Sequence, residues 1–192
     1  MNQMWQAMVQ ANREYDPQLK SASGLSGSDG GRLQAYYAEK DSLCGSFVGE
    51  VVTTAIQMAE SNACMRRIVA APTAGSCGVL PAVLIPCPRR FGLSDGQIAE
   101  ALYVAAGLGQ VIASRAFIAG ATGGCQAEIG SASAMAAGAL VYLRGGGEEQ
   151  ICDACAIALK ALLGLVCDPV AGLVEVPCVK RNVIGAVNAM TA

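Results

Sequence analysis

The stretch FIAGATGGCQAEIGSASAMAAGALVYL, residues 117–143, constrains this chain more than any other. Small residues fill almost all of it, and Glu128 is its single charge. It shows no period-two alternation, so it does not read as a strand. A helix built from it lets its neighbours approach closely through Gly and Ala. Alternating patterns are scarce elsewhere too, and aromatic residues make up only 5% of the chain. The expected fold is all-α: a single helical domain with Gly/Pro-rich loops.

The remaining segments fit that class. Residues 1–20 read as a polar, partly helical lead-in, and SASGLSGSDGG (21–31) as a turn cluster. A helix is expected from Asp41, with Phe47, Val48, Val51, Val52, Ala55, Ile56 and Ala59 at helical spacing. APTAGSCG (71–78) reads as a loop. Ser94 and Gln97 form a capping box ahead of Ile98, Leu102 and Ala105. RGGG (144–147) stops the small-residue helix, and a further helix puts Ile151, Cys155, Ala158, Leu159 and Leu162 on one face. No internal repeat is evident, and no linker divides the chain.

Composition narrows the function. The 192 residues are 53% apolar and 15% charged, enough for one domain with a sizeable core. A net charge of −2 and a pI near 5.1 argue against a nucleic-acid surface. Histidine is absent, which excludes a histidine triad or a His-ligated metal built by this chain alone. The N-terminal stretch lacks the basic start and apolar run of a signal peptide. The uncharged run from Ile68 to Pro88 carries four prolines, a poor membrane helix. The expected location is cytoplasmic, so the nine cysteines are expected as reduced thiols, metal ligands or core residues.

Most of those cysteines read as small buried hydrophobes. Cys152 and Cys155 form a C-x-x-C, but inside a strongly helical pattern. Cys44 and Cys64 border one expected helix. Cys77 and Cys87 are ambiguous. Cys125, Cys167 and Cys178 differ, because Gly or Pro dictates the backbone beside each: Gly123-Gly124, Asp168-Pro169 and Pro177. Three thiolates on fixed loops can hold an iron–sulfur cluster and leave one iron open; core packing is the alternative reading. Gly120, Gly123 and Gly124 suggest a phosphate loop, but no G-K-[ST] follows.

GATGGCQAEIGSASAMAA and LGLVCDPVAGLVEVPCVKRN resemble the α chain, or catalytic domain, of the iron–sulfur-dependent bacterial L-serine dehydratases. APTAGSCGVLP and SGLSGSDGGRLQAY resemble two further segments of that family. The likeness runs from about residue 21 to residue 192, which sets the expected boundary between the lead-in (1–20) and the catalytic domain (21–192). It implies a [4Fe–4S] cluster held by Cys125, Cys167 and Cys178, no pyridoxal phosphate, and L-serine converted to pyruvate and ammonia. It also implies a partner β chain or β domain, oligomeric assembly, and a place in amino-acid catabolism and gluconeogenesis. Family α chains continue for several helices beyond the NAMTA segment, so the expectation is a shortened C-terminus. A stripe of Val183, Ile184, Val187 and Met190 would then lack partners, leaving the chain alone inactive and prone to association. A histidine base would come from the partner.

Other site residues follow from that likeness. Thr73 and Ser76 in PTAGS offer hydroxyls and a nest of N–H groups for the substrate carboxylate, or form an ordinary capping turn. Arg181 is expected to pair with the carboxylate, unless it and Lys180 are solvated charges at a helix start. Lys180 pairs with the carboxylate too, or acts as the base. Asn182 binds the amino group. Asp168 reads as a turn former, Ser131 and Ser133 as packing residues, and Glu128 as either a buried paired carboxylate or a support for the site. Two other classes compete: an electron-transfer or structural iron–sulfur module, and a pyridoxal-phosphate enzyme using Lys20, Lys40, Lys160 or Lys180. An inactive fragment of the dehydratase is the remaining possibility.

Overall fold

The computed structural model describes residues 1–39 and 42–192. The helix start expected at Asp41, and Lys40, lie outside the described residues. Helices follow one another as α1 (Asn2–Arg13), α2 (Asp29–Glu39), α3 (Gly45–Ala63), α4 (Val79–Leu84), α5 (Cys87–Phe91), α6 (Asp95–Arg115), α7 (Gly120–Gly123), α8 (Cys125–Leu143), α9 (Glu148–Ala161) and α10 (Val176–Thr191), with a 3₁₀ turn at Ala74–Ser76. No strand forms among the described residues, so the all-α expectation holds. None of the described helices is long and apolar enough to cross a membrane.

The small-residue stretch becomes the centre of the bundle. Gly124, with φ of 71°, separates short α7 from α8. Helix α8 is apolar on nearly every side, which suits only a helix surrounded by others. It packs against α9, α6, α10 and α4. Close approach depends on missing side chains: a Cβ at Gly185 of α10 would lie 2.7 Å from Ile129 of α8 and 3.0 Å from Val79 of α4. Polar groups tie α8 to α10 and α10 to α9. The Ser133 hydroxyl donates to the Gly185 carbonyl at 2.8 Å, and the Asn188 amide donates to Ser133 Oγ and to the Ala158 carbonyl. Ser133 is therefore a hydrogen-bonding node rather than a mere packing residue.

Helix α6 starts as its sequence dictates. Ser94 Oγ accepts from the Gln97 amide at 3.3 Å, and Gln97 Oε1 accepts from the Ser94 amide at 2.9 Å. Three features depart from expectation. Helix α1 is polar and helical as expected, but it does not stand apart: Trp5 and Met8 enter the main core, and the Trp5 indole donates to Asp95 at 2.8 Å. The core is thus continuous across residue 20. Helix α2 begins inside the Gly/Ser cluster because buried Glu60 accepts from the Asp29 and Gly30 amides at 2.9 and 3.0 Å. Those are two of the orphan donors that any helix start must satisfy. Tyr15 also donates to Glu60, at 2.6 Å. On α10 the inward face is Val179, Asn182, Gly185, Ala186 and Ala189, and Ile184 from the expected stripe is 53% exposed.

Candidate functional site

Cys125 is the first residue of α8 and is buried. Its neighbours tie it to the loop that carries Cys167. The Gln126 amide donates to the Leu165 carbonyl at 2.7 Å, and the Gly164 amide donates to Gln126 Oε1 at 2.8 Å. Gly124 makes the approach possible. A Cβ there would sit 3.2 Å from the Cys167 nitrogen and 3.3 Å from the Val166 Cα, and its positive φ suits glycine in any case. Beyond Cys167 the chain turns tightly. Val170 and Leu173 exchange both backbone hydrogen bonds at 2.9 Å, with Ala171 and Gly172 at φ of 52° and 79°. Two successive positive φ values are those of a type I′ hairpin turn. The turn carries the chain to Pro177 and Cys178 in the first turn of α10.

Arg181 joins these pieces. Its Nη1 donates to Cys125 Sγ at 3.0 Å and to the Val166 carbonyl at 2.9 Å, and lies 2.6 Å from Asp168 Oδ1. Burial works against its charge, but the Cys125 sulfur and the Asp168 carboxylate outweigh burial and hold the guanidinium protonated. Cys178 lies one turn before Arg181 and is half-buried. Its thiol is pushed up to about 12, first by burial and then by the charges of Cys125, Glu128 and Cys167. The three cysteines are therefore electrostatic neighbours. They are not a finished ligand set: no group of three or more metal-ligating side chains stands ready among the described residues. The other cysteines differ. Cys77 and Cys87 are buried thiols donating to the Met58 and Val83 carbonyls, and burial pushes them up to about 12 and 11. Cys152 is exposed on α9, and Cys155 beside it is half-buried.

The charged and polar candidates separate on inspection. Asn182 is 1% exposed, and its amide is committed. Its Nδ2 donates to the Gly75 carbonyl at 2.9 Å and the Cys178 carbonyl at 2.7 Å, while Oδ1 accepts from the Gly78 amide at 2.8 Å. In this structure it braces the 72–78 loop against α10. Asn62 of α3 supports the same loop through the Ala74 carbonyl. Thr73 and Ser76 form the capping turn: their hydroxyls lie 3.1 Å apart, and Ser76 is fully buried. Arg181 faces the thiol loops, as described. Lys180 points away from them to Asp29 at the start of α2, forming an ion pair. Glu175, just before α10, was not singled out by sequence. It accepts from the Ser23 hydroxyl at 2.7 Å, while its other oxygen is buried beside Ser21 and Ser26 without a hydrogen bond of ordinary geometry. Burial pushes its carboxyl up, but the serine hydroxyls outweigh burial and hold it below the usual range. The segment SGLSGSDGG thus wraps the start of the cysteine-bearing helix.

The Lys180 hydrogen bond holds the Asp29 carboxyl below its ordinary 3.8. A carboxyl lowered in the folded state contributes stability above its unfolded pKa and loses that contribution as pH falls through the folded value. Both partners are exposed, so the contribution is about 0.5 kcal/mol. Lys180→Met is expected to lower stability by that amount at neutral pH and to leave it unchanged well below pH 3.8, measured by urea unfolding across pH. A thousandfold loss of activity at unchanged stability would instead restore Lys180 as a base.

A cleft of about 350 Å³ opens beside Cys178, lined also by Asn62, Met65, Gly75, Leu173, Glu175 and Asn182. A larger cleft, about 630 Å³, lies where α8 and α10 end and is lined by Phe47, Phe91, Leu140, Arg144 and Met190. It contains none of the three loop cysteines, so the smaller cleft is the better candidate for chemistry.

The family model for the serine dehydratase alpha chain matches residues 1–192. The chain is 52% identical to a probable L-serine dehydratase alpha chain of Bacillus subtilis (strain 168) over 174 residues, which are 91% of this chain and 58% of that one. It is 58% identical to a probable L-serine dehydratase alpha chain of Latilactobacillus sakei over 144 residues, 74% of this chain and 68% of the relative. With the L-serine dehydratase alpha chain of Peptoniphilus asaccharolyticus the identity is 47% over 158 residues, 82% of this chain and 54% of the other. The chain therefore spans between 54% and 68% of the length of these relatives.

Proposed function

The chain belongs to the serine dehydratase alpha-chain family, and on that premise we propose that it is the cluster-bearing part of an enzyme that converts L-serine to pyruvate and ammonia. The observation that supports this reading best is the Arg181 junction, where one guanidinium spans the Cys125 sulfur and the Cys167 loop while Cys178 sits one turn away. The residues present suit a [4Fe–4S] cluster. Three soft thiol donors come from two tied loops and a helix start, and hydrogen bonds to sulfur are among the means by which proteins tune such clusters. Cys125, Cys167 and Cys178 would hold it. When bound, such a cluster with three protein ligands supplies an open iron, a Lewis acid for the β-hydroxyl of serine, whose hydroxide is otherwise a poor leaving group.

The chain's own residues supply the setting. Gly124 and Gln126 hold the Cys125 and Cys167 segments together. Arg181 places a fixed positive charge beside the Cys125 sulfur, where thiolates would otherwise accumulate negative charge. Asn182 ties the 72–78 loop to α10 and keeps its Gly75 against the cleft. Thr73 remains available for the substrate carboxylate, and Ser76 serves it by orienting the Thr73 hydroxyl. The reaction removes the Cα proton and the β-hydroxyl as water, and the enamine that results tautomerises and hydrolyses to pyruvate and ammonia. These 192 residues carry no histidine, so a histidine base would come from outside them. Val166, Val170 and Val174, apolar and exposed on the cysteine loop, offer a β chain a surface. Reduced thiols suit a cytoplasmic enzyme, acting in an oligomer on an amino acid whose product feeds gluconeogenesis. A pyridoxal-phosphate site finds less support: Lys180 pairs with Asp29, and Lys20 donates to the Gly27 carbonyl and the Ser28 hydroxyl.

Anaerobic loading with ferrous iron and sulfide, followed by a pyruvate assay with and without the β chain, tests this reading. Activity is expected only with both, to decay in air, and to return with ferrous iron and a thiol. Activity indifferent to air and chelators but lost on removing pyridoxal phosphate would overturn it.

A further inference from the structure

Glu128 lies on α8 one turn beyond Cys125 and is half-buried. Its carboxylate is pressed between two glycines from separate segments. A Cβ at Gly75 would come 2.7 Å from Oε2 and 3.1 Å from Oε1, and a Cβ at Gly120 would come 2.8 Å from Cδ. Neither glycine has a positive φ, so what each position needs is space, not an unusual backbone. The cradle is built for the carboxylate, yet it offers no counter-charge. Among the described residues no ion pair or side-chain hydrogen bond reaches Glu128. The cations of the neighbouring segments are committed: Lys180 to Asp29, Arg181 to Asp168, Lys20 to Gly27 and Ser28. Gly75, against which the carboxylate rests, also lines the cleft that contains Cys178.

A carboxylate with no cation beside it leaves its charge free for a bound cation. A lone carboxylate between two glycines is a poor divalent-metal site, which needs six or more oxygen ligands. It suits a compact ammonium group with three N–H donors. Asn182, the amine-binding residue expected from sequence, is 1% exposed, with both amide hydrogens and one Oδ1 lone pair already engaged. We propose that Glu128 holds the α-ammonium group of the substrate, and with it the preference for an amino acid over a hydroxy acid. This rests on the serine dehydratase reading.

The test uses the cluster-loaded chain with its β chain, comparing wild type with Glu128→Gln and Glu128→Asp. For Glu128→Gln, KM for L-serine is expected to rise at least ~30-fold, the scale for removing one partner of a desolvated charge pair. Inhibition by 3-hydroxypropionate, which lacks the ammonium, is expected to stay within twofold of wild type, as is iron content. Glu128→Asp keeps the charge and is expected to fall between the two. An unchanged KM in Glu128→Gln overturns the proposal. So does an equal loss of affinity for L-serine and 3-hydroxypropionate, which would mark a purely structural role. Should Glu128→Gln fail to fold, the Glu128→Asp comparison of the two ligands decides alone. A wild-type enzyme that neither binds nor turns over L-serine sinks the dehydratase reading itself, and this proposal with it.

Discussion

Replacing Cys125, Cys167 or Cys178 with alanine, one at a time, is expected to reduce bound iron and labile sulfide to background and to lower pyruvate formation at least ~10³-fold, the loss of several kcal/mol of Lewis-acid assistance. The three positions differ in every structural respect that governs stability. Cys125 is buried and accepts from Arg181, Cys167 is exposed, and Cys178 is half-buried in a helix start. The metal-free variants should therefore differ in stability, with Cys125→Ala costing about 1–2 kcal/mol and Cys167→Ala almost nothing. Equal effects on iron binding with unequal effects on stability are the signature of a shared ligand role. Cys152→Ala and Cys155→Ala should keep the iron and cost at most about 1 kcal/mol. Iron retained in Cys178→Ala would remove that residue from the ligand set. Iron analysis beside thermal unfolding separates these outcomes.

Asn182→Ala is expected to destabilise the chain by about 3 kcal/mol, because it orphans the buried Gly78 amide and takes a donor from the Gly75 and Cys178 carbonyls. For a domain of this size that corresponds to a fall in Tm of roughly 6–12 °C. The 72–78 loop should exchange its amide hydrogens faster, since its tether to α10 is gone. Asn182→Asp keeps the acceptor but loses both donors, and should fare no better. Differential scanning calorimetry checks the magnitude. A fall of less than about 2 °C, with a selective rise in KM for L-serine, would return Asn182 to the amine-binding role that its sequence position suggested.

Local chemistry made much of the fold legible. Ser94 and Gln97 cap α6 as their spacing requires, and the glycines after Arg144 end α8. The three site cysteines stood out because Gly124, Pro169 and Pro177 constrain the chain beside them. What stayed hidden depends on partners distant in sequence. The start of α2 lies in a run of glycines and serines that reads as turn, and becomes helical because Glu60, a residue of α3, supplies the missing acceptors. Lys180 and Arg181 are adjacent and look alike in sequence, yet one pairs with Asp29 and the other with a sulfur. Asn182 reads as a free amide until the fold brings Gly75 and Gly78 to it. Helix α1 reads as polar because only Trp5, Met8 and Ala11 of it turn inward.

The central claim is that three thiols of this chain hold a cluster whose remaining iron meets the substrate. Mössbauer spectroscopy of the iron-57-loaded chain with its β chain, recorded with and without L-serine, addresses it most directly. The expected result is one iron distinct from the other three, whose signal alone shifts when L-serine is added. Iron sites that are all equivalent and indifferent to L-serine would contradict the account and favour an electron-transfer or structural cluster in its place.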